Sequence, residues 1–93
     1  MHIGVLTLYL SIGYADSLKE KRRAIKSLIE RTRNKFNVSV AEVDDLDIWR
    51  RATIGVVIVS NSAAFANQVL EKVVDYVEND ANVVLEDYGI EML

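Results

Sequence analysis

Residues 2–12, His-Ile-Gly-Val-Leu-Thr-Leu-Tyr-Leu-Ser-Ile, decide the architecture. In an extended chain Leu6, Leu8, Leu10 and Ile12 share one phase, and Ile3, Val5, Thr7 and Tyr9 share the other. A strand that is apolar on both phases belongs in the middle of a sheet, covered on both sides. Gly13 breaks it. Residues 52–60, Ala-Thr-Ile-Gly-Val-Val-Ile-Val-Ser, show the same property, with Ile54, Val56 and Ile58 on one phase and Thr53, Gly55, Val57 and Val59 on the other. The chain therefore contains two strands of central character, each followed by a helical pattern.

After the first strand, Asp16 or Ser17 caps a helix, and Ser17 with Glu20 three residues on forms a capping-box pattern. Leu18, Ile25, Leu28, Ile29, Thr32 and Phe36 fall on one arc at 100° per residue, the buried stripe of a helix of about five turns ending near Asn34 to Asn37. Val38 and Val40 alternate with Ser39 and Ala41 as a half-exposed strand, and Asp44, Asp45 and Asp47 mark a hairpin loop. Beyond the second central strand, Asn61 or Ser62 caps a second helix. Its apolar face is Phe65, Ala66, Val69, Leu70, Val73, Tyr76 and Val77, and its polar face is Glu71, Asp75 and Glu78. The Asn79, Asp80, Asn82 cluster ends that helix, and Val83 to Leu93 reads as a last strand with an irregularity at Gly89.

The order βαββαβ predicts an α+β, ferredoxin-like fold: a four-stranded antiparallel sheet with two helices on one face. In that topology the first and third strands are the central ones, in agreement with their two-phase apolarity. With 93 residues, 51% hydrophobic and 27% charged, the chain is expected to form one domain over residues 1–93.

Composition excludes much chemistry. There is no cysteine and no proline, which removes disulfides, cysteine–metal sites and thiol nucleophiles. The single histidine, His2, sits at a strand start and reads as a surface residue rather than a base. Asp44, Asp45 and Asp47 lack the glycine-containing spacing of a calcium loop, and the four glycines are isolated, so no phosphate-cradling loop exists. The chain is expected to be non-catalytic, without metal or small-molecule cofactor. The apolar start carries neither the preceding cations nor the cleavage pattern of a secretory signal, and no run reaches membrane-spanning length; a cytoplasmic protein without membrane contact is expected.

The net charge of −3 conceals an asymmetry. Residues 17–51 hold ten cations against six acids, whereas residues 52–93 hold only Lys72 against seven. Lys19, Lys21, Arg22, Arg23 and Lys26 crowd the N-terminal half of the first helix, where the macrodipole favours acids and each misplaced charge near the terminus costs roughly 0.3–1 kcal/mol. Lys19, Arg22, Arg23, Lys26 and Arg33 share an arc of about 100°, while Lys21 lies on the other flank, its stem expected over the core and its ammonium in water. A solvated face steadied by Lys26 with Glu30 is the bland explanation. The alternative is an anion site for a phosphate backbone, RNA above all, since cations there add to the free N–H groups of the helix start.

Arg50 and Arg51 flank this site with Trp49, which either stacks on a base or caps the core at the hairpin base. The third strand carries no aromatics for base stacking of the RRM type, and a GXXG loop is missing, so contact would rest on backbone charge and shape. A rival surface is the open face of the sheet, where Val5, Tyr9, Ala41, Val43, Val57 and Val59 should lie. Sheet-to-sheet packing in a homodimer or higher homo-oligomer would cover it, unless the C-terminal segment does.

Four blocks, Ser17-Leu-Lys-Glu-Lys-Arg-Arg, Lys35-Phe-Asn-Val-Ser-Val-Ala-Glu-Val-Asp, Trp49-Arg-Arg-Ala-Thr-Ile-Gly and Val57-Ile-Val-Ser-Asn, closely resemble the YlxP-like family of small uncharacterised bacterial proteins. The resemblance spans nearly the whole chain. It implies a ferredoxin-like fold and a genomic setting among translation and ribosome-maturation factors, hence an expected partner in structured RNA or a ribosomal particle. It supplies no catalytic residues. Asp45-Leu-Asp departs from the pattern by placing more acid in the hairpin, which tells against a uniformly basic docking surface.

Overall fold

The computed structural model describes residues 1–93. Strand β1 (His2–Ser11) leads to helix α1 (Leu18–Lys35), strands β2 (Ser39–Asp44) and β3 (Arg51–Ser60), helix α2 (Ala63–Glu78) and strand β4 (Val84–Met92). The strands form one sheet in the order β2-β3-β1-β4, with every neighbouring pair antiparallel. The fold is ferredoxin-like, and β1 and β3 are central. They pair over their full length, from His2 opposite Ser60 to Ser11 opposite Arg51.

The phase reading explains the core. Leu6, Leu8 and Leu10 of β1 and Ala52, Ile54, Val56 and Ile58 of β3 face the helices and are buried, together with Val40 of β2. Ile25 and Leu28 of α1 and Ala66, Leu70, Val73, Val74 and Val77 of α2 close the layer. Gly4 is required by close packing: a Cβ there would meet Leu70 Cδ1 at 2.9 Å and Ile58 Cγ2 at 3.1 Å. Both helices start on side-chain caps. Ser17 Oγ accepts from the Glu20 N–H at 3.1 Å, and Ser62 Oγ accepts from the Phe65 N–H at 3.2 Å, each worth about 1 kcal/mol. The expected capping box at Ser17 is present but closes one residue earlier, because Glu20 Oε2 accepts from the Asp16 N–H.

Several expectations are corrected. The irregularity in β4 falls at Glu86, not Gly89: Tyr9 lies opposite Asp87 and Leu10 opposite Leu85, which leaves Glu86 as the extra residue. Its carboxylate is held by the Ser11 hydroxyl at 2.7 Å, a side-chain anchor that favours the bulge at that position. Phe65 is 56% exposed rather than core, while the neighbouring Ala66 takes the buried position in the first turn of α2. Trp49 is 51% exposed and does not cap the core. The C-terminal segment is an edge strand inside the sheet, so it leaves the open face uncovered.

The largest correction concerns Lys21. Its side chain is fully buried, with Nζ 2.8 Å from Glu42 Oε2 in an ion pair and donating to the backbone carbonyls of Asp45 and Leu46. The ammonium does not reach water. Lys21 precedes Ile25, Leu28 and Thr32 on the buried stripe of α1, and Glu42 shares the helix-facing phase of β2 with Val40. Opposite charges on two mutually facing buried phases neutralise each other.

Candidate functional site

The lysine contact fixes the β2–β3 hairpin against the start of α1. Asp45 adopts the left-handed backbone conformation, φ 61°, which an aspartate tolerates better than most residues. Its carbonyl accepts from Lys21 and from the Ile48 N–H, and its Oδ2 accepts from Thr53 Oγ1 at 2.9 Å. On the far side of the hairpin, the Arg50 carbonyl accepts from the Ile12 N–H at 2.9 Å and Arg50 Nε donates to the Ala15 carbonyl at 3.1 Å. The loops at 12–17 and 45–50 thus form one backbone-linked platform beside the first turns of α1.

On that platform Lys19, Arg22, Arg23 and Lys26 are all exposed on α1. Arg22 has a loose partner in Asp47 at 3.7 Å, both side chains lying largely in water. Arg50 pairs with Asp16 at 3.5 Å in the same loose way. Exposed pairs at such distances contribute little and are readily exchanged for another anion. Lys19, Arg23 and Lys26 have no carboxylate within 4.0 Å, so the anticipated Lys26–Glu30 pair is not formed. The three hairpin acids do not converge: Asp44 accepts from the Asp45 N–H, Asp45 holds Thr53, and Asp47 faces Arg22.

Two of the sequence-derived cations stand elsewhere. Arg33 lies about 15 Å from Arg23 along α1 at 1.5 Å per residue, and its Nη2 donates to the Val40 carbonyl at 2.6 Å. This bond ties the last turns of α1 to edge strand β2. Arg51 lies on the open side of the sheet, lining a hollow with Tyr9, Ser11, Thr53 and Glu86. The exposed cations grouped around the start of α1 are therefore Lys19, Arg22, Arg23, Lys26 and Arg50, while Arg33, Arg51 and the buried Lys21 stand apart from them.

The open face carries the apolar residues assigned to it. Val5 lies opposite Val57 and Ala41 opposite Gly55. Tyr9 is 46% exposed, Val43 56%, Val57 37% and Val59 63%. Along β4 this face is bordered by acids, with Glu91 opposite Val5 and Asp87 opposite Tyr9. His2 is an exposed strand-end residue, and Glu71, Asp75 and Glu78 are exposed on α2.

An interhelical cleft of about 590 Å³ is lined by Arg31, Lys35, Phe36, Lys72, Tyr76 and Asp80. Its walls are largely occupied with one another. Arg31 Nη1 binds Asp80 Oδ1 at 2.7 Å, Lys35 Nζ lies 5.3 Å from the Tyr76 ring centre, and Phe36 meets Tyr76 edge-on at 5.8 Å. The hydrogen bond that Arg31 donates to Asp80 raises the guanidinium pKa above its ordinary value against the opposing effect of burial, and the pair clamps α1 to the loop after α2.

Fold and surface together define a small ferredoxin-like α+β domain whose distinctive feature is a cation-rich helix start backed by a pinned hairpin. No helix is long and apolar enough to cross a membrane. The chain belongs to the DUF503 family, described as proteins of unknown function, whose model matches residues 3–90. Over 65 residues it is 38% identical to the uncharacterised protein YlxP of Bacillus subtilis (strain 168), a match covering 70% of this chain and 71% of that protein. The family resemblance carried by the four sequence blocks is thereby confirmed.

Proposed function

We infer that the chain is a non-catalytic binding protein that docks on structured RNA or a ribosomal particle through the first half of α1. The observation that carries this reading is the exposed set Lys19, Arg22, Arg23 and Lys26 on the first half of α1, of which Lys19 stands in the first turn, where the helix dipole favours acids, and only Arg22 has a carboxylate partner, Asp47 at 3.7 Å. Four phosphate contacts predict a slope of about −3.6 in log K against log salt, or about 150-fold weaker binding to duplex RNA between 50 and 200 mM salt. Electrophoretic or filter binding to ribosomal RNA at these two salt concentrations measures it. The variant Arg22→Glu, Arg23→Glu, Lys26→Glu should lose most of the affinity. Salt-insensitive binding that survives in that variant would sink the reading.

A second reading is favoured by the open face, where Val43 and Val59 are each more than half exposed beside Tyr9 and Val57. It makes the chain a homo-oligomer that packs sheet against sheet. Light scattering across the micromolar range should give at least a dimer that Val59→Glu dissociates. A wild-type monomer throughout that range removes this reading and leaves the first untouched.

A further inference from the structure

Resting on the RNA reading above, we propose that the platform beside α1 binds unpaired nucleotides next to a duplex, with Trp49 and Tyr14 as stacking surfaces. The two rings are 51% exposed each, and Leu46 and Ile48 in the hairpin loop that carries Trp49 are 52% and 38% exposed. Large apolar side chains concentrated at one end of a small domain mark a binding surface rather than a solvated loop. Their chain neighbours are tied together: Arg50, next to Trp49, donates to the carbonyl of Ala15, next to Tyr14. Tyr14 also lines a shallow hollow with Arg23 and Ser27 of α1. Trp49 lies two residues after Asp47, which faces Arg22. The loops that carry the two rings therefore border the cationic helix start.

The backbone that presents these rings is held before any partner arrives. Lys21 fixes the carbonyls of Asp45 and Leu46 from inside the core, and Arg50 is held on both its carbonyl and its guanidinium. A prepositioned aromatic loses little freedom on binding. Cations for the phosphates combined with exposed rings for the base faces are the requirements of single-stranded nucleic acid. A plain duplex would use the cations and leave the rings idle. The platform acids sharpen the assignment. Asp16 of the 12–17 loop and Asp47 of the hairpin are 79% and 90% exposed and repel phosphates from the loops themselves. Contact there must fall on neutral bases, while the phosphate track follows α1.

Trp49 is the chain's only tryptophan, so its emission reports on the site directly. The full chain is titrated with a blunt RNA hairpin, the same hairpin carrying a three-nucleotide single-stranded extension, and anionic phosphatidylglycerol vesicles. The extended hairpin should bind about five-fold tighter or better and change the Trp49 emission; the blunt one should bind without that change. In filter binding, which needs no tryptophan, Trp49→Ala should abolish the preference while leaving salt-dependent binding of the blunt hairpin within two-fold, Trp49→Phe should retain it, and circular dichroism should show an unchanged fold. Equal binding of both hairpins with silent tryptophan emission overturns this proposal and leaves the RNA reading standing. Absence of any RNA binding at low salt overturns both. An emission change with vesicles but with neither RNA assigns the rings to a lipid surface and also overturns it.

Discussion

Replacing Lys21 with methionine tests the central structural claim, that a buried charge pair locks the hairpin to α1. The ammonium is fully buried and the Glu42 side chain is 16% exposed, with Nζ 2.8 Å from Oε2. Lys21→Met leaves the buried Glu42 Oε2 without a counter-ion and the Leu46 carbonyl without its donor, while the Asp45 carbonyl keeps the Ile48 N–H at 3.1 Å. Removing one partner of a buried pair costs about 3–5 kcal/mol. Water reaches part of the glutamate, so the expected cost is near the lower bound, about 3 kcal/mol, a large fraction of the stability of a small domain. Glu42→Gln strands the lysine less severely, because two carbonyls still accept from it; about 1–2 kcal/mol is expected. The double variant Lys21→Met, Glu42→Gln removes both charges and should be more stable than the sum of the singles by about 2 kcal/mol. Urea unfolding of the four proteins measures the cycle. Additive single effects below about 1 kcal/mol each would refute the argument, since they would mean that the pair is solvated and the hairpin held by other contacts.

Three further outcomes follow from packing and clamps. Gly4→Ala should destabilise by about 1–3 kcal/mol through overpacking against Leu70 and Ile58, whereas Gly89→Ala, with no atom within 4 Å of the added methyl group, should be neutral or stabilise by up to about 1 kcal/mol; thermal unfolding of the two variants should show opposite or clearly unequal shifts. Asp80→Asn weakens the clamp on Arg31, whose own side chain is 39% exposed. The expected loss in urea unfolding is therefore about 1–2 kcal/mol, less than for a fully buried charged bond. Ser17→Ala should cost about 1 kcal/mol by removing the cap on the Glu20 N–H, read as a lower urea midpoint with an unchanged slope.

The fold was legible because its strongest signals are local. Two strands apolar on both phases can only be central, and the caps at Ser17 and Ser62 are short-range hydrogen bonds that a few residues specify. What escaped the pattern depends on contacts between distant segments. The bulge at Glu86 is selected by Ser11, 75 residues away in sequence, whereas only glycine's weak strand propensity points to Gly89. The charge of Lys21 points to water. Its place on the Ile25, Leu28, Thr32 stripe, with Glu42 on the inner phase of β2, was the available signal that it is buried. Helical periodicity groups Lys19, Arg22, Arg23 and Lys26 on one exposed arc of α1, but it does not separate Arg33, whose guanidinium is spent on the Val40 carbonyl; Arg51 is turned to the open face by the phase of β3.

If the cations at the start of α1 are there for a partner, they should cost the isolated protein stability, and Lys19 is where that cost is clearest. Lys19 lies in the first turn, one residue before Glu20, whose N–H the Ser17 cap receives. Its charge opposes the dipole, and Arg23 one turn on has the same sign. Lys19→Glu reverses both terms at once. The dipole contribution changes from unfavourable to favourable, roughly 0.3–1 kcal/mol on each side before screening. The contact at i, i+4 changes from a like-charge pair to a glutamate preceding an arginine, the favoured orientation, worth a further 0.2–0.5 kcal/mol or so. A net gain of about 1 kcal/mol corresponds to a rise in Tm of about 4–8 °C for a domain of this size. The same variant removes one phosphate contact and introduces a repulsive charge, so RNA affinity at 50 mM salt should fall while the salt slope shrinks by about one or more. Stability and binding must therefore move in opposite directions. A variant that is destabilised would show that Lys19 serves the fold, and one that is stabilised with undiminished RNA affinity would show that the helix start is not where the polymer binds.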